Sequence, residues 1–174
     1  KNQGSQIDYS GFIGGAEDDQ ANSLAVDGLG RAYVTGFSSC TGGGNCSFPT
    51  VVGPNLTRAA SADASRPSMD GFIARVKADG SSRDYAGFIG GDGYFDVGHA
   101  IAVDASGSAY VAGATDSVTG LPAAPGFRSI PSGDASDGFV ARISASGAAV
   151  DRFTLLTGTL SGNQSGADRA LAIA

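Results

Sequence analysis

Five carboxylates are the side chains in this sequence with the most scope for chemistry. Glu17, Asp18 and Asp19 follow one Gly-Gly pair, and Asp92 and Asp96 follow another. Oxygen donors gathered in a loop suit a hard cation such as calcium, which draws its ligands from carboxylates and backbone carbonyls. Asp18, Asp19, Asp92 and Asp96 are therefore the candidate metal ligands, and calcium is the one cofactor that this pattern admits. Their spacing matches neither an EF-hand loop nor a calcium-binding nonapeptide. A glycosidase also works with two carboxylates, but no cleft aromatics flank these and the chain has no Trp, which also weakens a sugar-stacking surface. His99 is the only histidine, so a Ser-His-Asp triad and most metal-ligand clusters lack a member. Nucleophile-elbow, phosphate-loop, zinc-protease and dinucleotide-binding motifs are all missing. The expectation is that the chain is not an enzyme.

Cys40 and Cys46 are the only cysteines, and the intervening TGGG makes neither a redox CxxC nor half of a zinc site. A local disulfide is the expected pairing, and it implies an oxidising compartment.

The elements that must position these residues are strands. Gly contributes 28 of 174 residues, and the acids are sixteen Asp against a single Glu, a composition that favours turns over helices. With 11 basic against 17 acidic residues, and the bases scattered singly, no stripe exists to neutralise a phosphate backbone, so nucleic acid is not an expected partner. Apolar runs are too short for a membrane span of about 20 residues.

An internal repeat organises the chain. DYSGFIGG at Asp8 returns as DYAGFIGG at Asp84, LAVDGLGRAYVTG at Leu24 returns as IAVDASGSAYVAG at Ile101, and MDGFIARV at Met69 returns as SDGFVARI at Ser136. Repeat 1 runs over about 20–91 with an insertion at 37–68, repeat 2 over about 97–158, and a degenerate third copy begins within 159–174. Each unit reads as four short strands. In the VDGLG and VDASG turns, Asp27 and Asp104 suit the start because a short carboxylate accepts backbone N–H bonds, while Gly30 and Gly107 supply positive φ. Four antiparallel strands per repeat predict an all-β chain of propeller-type blades. The expected core is Leu24, Val26, Tyr33, Val34, Phe72, Ile73, Val76 and Phe88, with their copies Ile101, Val103, Tyr110, Val111, Phe139, Val140 and Ile143.

The ordered set Y-x-x-F-I-G-G, then I/L-A-V-D-x-x-G-x-A-Y-V-x-G, then D-G-F-V/I-A-R-V/I resembles the SBBP family, bacterial repeats whose name reflects a seven-bladed β-propeller. The resemblance implies a secreted or surface-exposed bacterial protein and supplies no catalytic residues. The expected function is a non-enzymatic extracellular or cell-surface scaffold or protein-interaction module, with the insertion as its contact surface. The alternative is a calcium- or carbohydrate-binding propeller acting through the acidic loops. Two full repeats and two partial ones leave blade faces bare, so the rest of the same polypeptide, or self-assembly, is expected to cover them.

Overall fold

The computed structural model describes residues 5–41, 47–59, 67–126, 136–157 and 167–174. Among them there is no helix, and eight strands form two four-stranded antiparallel sheets. The first holds β1 (Asp19–Val26), β2 (Ala32–Cys40), β3 (Ser68–Val76) and β4 (Arg83–Ile89) in sequence order. The second holds β5 (Asp96–Val103), β6 (Ala109–Thr115), β7 (Asp137–Ile143) and β8 (Val150–Leu156), again in order. These are two blade-like meanders, and no closed barrel is formed.

Successive residues on a strand point to opposite faces, so alternate positions go to different neighbours. From the first sheet, Tyr33, Ile73, Tyr85 and Ile89 face the second. They meet Ile101, Val111, Phe139, Ala141, Ile143, Phe153 and Leu155 in one buried cluster. Strand β5 lies against β1, β2 and β3. Gly98 permits this approach, because a Cβ there would fall 2.1 Å from Thr35 Oγ1. Val34, Phe72, Ala74, Ala86 and Phe88 point the other way and form a second cluster with Phe48.

Two expected core positions lie elsewhere. Leu24 is 61% and Val26 56% exposed, whereas Ile101, the repeat mate of Leu24, is 6% exposed. The side chains are equivalent and only the neighbour differs: β5 has the first sheet in front of it, and β1 has no sheet in front. Tyr110, Val140, Val76 and Val103 are likewise only half-buried.

The insertion also begins later than its sequence suggests. Phe37–Cys40 continue β2, pairing with β1 (Gln20 opposite Phe37) and with β3 (Cys40 opposite Ser68). Residues 47–59 then fold back along the outer edge of β4, where Val51 and Ala86 exchange backbone hydrogen bonds and Phe88 N–H donates to Asn55 O. The second sheet does the same more briefly, with Phe153 N–H donating to Pro125 O. In both repeats a returning loop thus covers an edge strand that would otherwise offer unpaired backbone to other chains.

Phe48 explains a second difference between the repeats. Phe139 stacks on Phe153 at a centroid distance of 5.4 Å in the second sheet; in the first, Ala86 stands where Phe153 would be. Phe48 fills that space from the loop, 4.9 Å from Phe72 and 5.3 Å from Phe88. Phe48→Ala should therefore cost about 3 kcal/mol in urea unfolding, and adding Ala86→Phe should restore part of it. A double variant no more stable than the single one would contradict this exchange of roles.

Candidate functional site

The acidic connections are where the repeat concentrates its ionisable groups. Asp96, fully buried at the start of β5, accepts hydrogen bonds on Oδ2 from Gly91 N–H at 3.0 Å and from the Ser117 hydroxyl at 2.8 Å. Asp19, at the start of β1, accepts from Gly15 N–H in the same way. Gly90 and Gly91, which follow β4, are thus latched to β5 by a carboxylate, and Gly14 and Gly15 to β1. A Cβ at Gly90 or Gly14 would fall 2.9 or 2.7 Å from that carboxylate's Oδ2, so a larger residue there would have to displace the latch. Asp92 is spent nearby, taking both the backbone N–H and the hydroxyl of Thr119. Asp18 is exposed and uses its backbone carbonyl to hold Ser39 N–H, and Glu17 accepts from the Thr41 hydroxyl. Asp18 and Asp19 therefore serve the entrance to the first sheet, and Asp92 and Asp96 the entrance to the second. Among the described residues no three His, Cys, Asp or Glu side chains gather where they could share a metal ion.

Asp70 joins this set, held by a partner that no local motif announces. It is buried on β3, and its Oδ1 receives both Nε and an Nη of Arg58 at 2.9 Å. Arg58 belongs to the returning loop and also donates to Ser68 Oγ. Burial nevertheless pushes the Asp70 carboxyl up to about 6 despite the guanidinium. Asp96 is pushed up to about 7, chiefly by burial and further by the charge of Asp70. Asp96 Oδ1 is buried without a hydrogen-bond partner. His99, half-buried with Nε2 unpartnered, is pushed below its ordinary value, first by burial and then by Arg169.

The turn residues have structural work. Asp27 Oδ1 accepts Leu29 and Arg31 N–H, and Asp104 Oδ1 accepts Ser106 and Ser108 N–H, while Gly30 and Gly107 have φ of 79° and 82°. Burial works against the Asp27 carboxylate, but the Arg31 backbone and guanidinium hold it down at about 2.

A polar clasp ties the sheets together at the same end. Arg75 Nη1 donates to Ala145 O at 2.7 Å across the junction, and its Nε donates to Asp84 at 2.8 Å. The guanidinium lies 4.8 Å from the centre of the Tyr85 ring and 5.7 Å from that of Tyr33. The Tyr33 hydroxyl sits 3.1 Å from Asp27 Oδ2 and 3.4 Å from Gly107 O of the second sheet. In the second repeat Arg142 keeps the local half of this arrangement, bonding the Tyr110 hydroxyl, Asp151 and Ser108.

Cys40 is buried at the end of β2, and Cys46 lies outside the described residues. The described residues include no helix long and apolar enough to cross a membrane. On the other side of the first sheet, residues 9–13 lie over β1 and β2 and enclose with Leu24, Val34, Val51, Val76 and Arg83 a cleft of about 560 Å³.

A family model described as a beta-propeller repeat (SBBP) matches residues 8–39, which run from the segment over that cleft through β1 and most of β2. No curated protein matches the chain.

The buried carboxyls set a pH dependence. Asp70 and Asp96 ordinarily lose their protons near 3.8, and the folded chain keeps them to about 6 and about 7. The folded state therefore binds more protons between those limits, so stability falls as pH rises through this window. His99 works in the opposite sense below its ordinary 6.5. Comparison with Asp96→Asn isolates the carboxyl: from about pH 5 to about pH 8 the urea midpoint of the wild type should fall relative to that of the variant. A constant difference would show that Asp96 is ionised in the fold.

Proposed function

We propose that the chain is a non-enzymatic scaffold and protein-interaction module of an extracellular or cell-surface protein, in which stacked sheets hold loops for a protein partner. The observation that carries this reading is the use made of the side chains capable of chemistry. Asp19 and Asp96 latch successive units, Asp27 and Asp104 fix turns, Asp92 holds a loop and Asp70 holds Arg58. Along the returning loop three apolar side chains, Val51, Val52 and Leu56, are 39%, 49% and 51% exposed, with Ser47, Asn55 and Thr57 exposed beside them. Clustered apolar exposure of this kind on a rigid frame marks a protein-binding surface.

Val52 is held at a φ of 31°, a costly conformation for a β-branched residue, and its carbonyl accepts Ala86 N–H. The loop is thus pinned to β4 and presents its side chains without first having to order them, which favours binding. The beta-propeller repeat match agrees with an interaction role. A Cys40–Cys46 disulfide at the base of the loop would suit an oxidising compartment. Native protein alkylated without reductant should then carry no modified cysteine, and two modified thiols would count against the extracellular placement.

The main test pairs a protein array of secreted and surface proteins with a glycan array and a calcium titration. Saturable binding to a protein, weakened roughly tenfold or more by Leu56→Asp, is the expected outcome. Glycan or calcium binding in the absence of any protein ligand would replace the scaffold reading with that of a sugar- or ion-binding module.

A further inference from the structure

We infer that residues 8–14 are the fourth strand of one more blade, and that with the bare face of the first sheet they form a half-built socket for a three-stranded sheet of this same repeat. The chain holds its own internal copy of that interface.

The segment sits on the first sheet as β4 and its Gly-Gly end sit on the second. Tyr9 covers Gly80, where a Cβ would fall 2.3 Å from the Tyr9 ring; Tyr85 covers Gly147, where the corresponding distance is 2.2 Å. Gly15 N–H is held by Asp19, as Gly91 N–H is by Asp96. Ile13 packs on the cluster of Val34 and Phe72, as Ile89 packs with Val111 and Phe139. The sequence correspondence extends further back, since KNQGSQIDYSGFIGG from Lys1 parallels KADGSSRDYAGFIGG from Lys77.

The strand's own sheet is what differs. Residues 9–14 pair with no strand among the described residues, and Phe12 is fully exposed where its mate Phe88 is 6% exposed. Leu24 and Val26 beside it are open, and a cleft separates the segment from the sheet. At the next interface the same positions, Ile101 and Val103, are packed by the first sheet.

That packed interface specifies the occupant. It must bring a second-strand Tyr whose hydroxyl reaches Gly30 O, as Tyr33 reaches Gly107 O. It must also bring a third-strand Arg whose guanidinium reaches Ala78 O, as Arg75 reaches Ala145 O. Gly30 and Ala78 are exposed, whereas Gly107 is buried under the first sheet. An unrelated peptide or a lipid surface could cover Leu24 and Val26, but would not pair with residues 8–14 and supply both polar contacts. This inference deepens the interaction-module reading and rests on it. The two fail separately, because loop binding is read at Leu56 and socket filling at β1.

The test extends the full chain by placing a second copy of residues 92–143, which carry strands one to three of the second repeat, directly ahead of Lys1. Hydrogen exchange at Leu24–Val26 should slow by roughly tenfold or more, and binding of an apolar-surface dye should be lost. Leu24→Asp, at an exposed position, should leave the unextended chain folded and abolish both effects in the extended one. Unchanged exchange at Leu24–Val26 in the extended chain would overturn the inference. So would an added unit that stays unfolded, since the same strands fold when stacked on the first sheet.

Discussion

Each sheet in this molecule is apolar on both faces, and that single constraint dictates most of what surrounds it. A sheet in a sandwich turns one face to water and alternates accordingly. Here Tyr33 and Val34, adjacent on β2, both need cover, as do Ile73 and Phe72 on β3. The second sheet covers one face, and Phe48 with the seated N-terminal segment covers part of the other. Where no cover exists, Leu24 and Val26 stand in solvent with the same chemistry as their repeat mates, the buried Ile101 and the half-buried Val103.

Polar groups at the junction fix how the faces meet. Packing of aliphatic and aromatic groups alone is tolerant of sliding, whereas a guanidinium that must reach one particular carbonyl is not. Arg75 is buried against two tyrosine rings with its Nε on Asp84 and an Nη on Ala145 O, so its charge is both paired and directed. The Asp19 and Asp96 latches act at the opposite end of the strands, where one unit's last strand gives way to the next unit's first. Packed core, clasp and latch together leave the sheets little freedom.

Much of this was legible in the sequence because it repeats. The DYxGFIGG, AVDxxGxAYVxG and DGFxAR motifs carry strand identity, strand order and turn chemistry, and the match to a beta-propeller repeat over residues 8–39 falls on the first two of them. What was not legible is what one copy does differently. Nothing in local pattern says that Ala86 leaves a space for Phe48, or that Arg58 crosses to Asp70, since both depend on how the insertion folds back. The exposure of Leu24 was hidden for a related reason: periodicity reports which residues share a face, and not whether that face has a neighbour. The acidic loops read as possible ligand sets because their carboxylates cluster in sequence, while in space those of Glu17, Asp19, Asp92 and Asp96 accept from backbone N–H groups or hydroxyls.

The central claim is that the two sheets are one cooperative unit because each covers the other. Native-state hydrogen exchange on Val111→Ala measures this most directly. Val111 is fully buried on β6 in the shared cluster, and its truncation should cost about 2 kcal/mol. The account predicts that the slowest amides of β2 and β3 in the first sheet lose protection together with those of β6 and β7 in the second. Loss confined to β6 and β7, with β2 and β3 unchanged, would show that the sheets are stable independently and would contradict it.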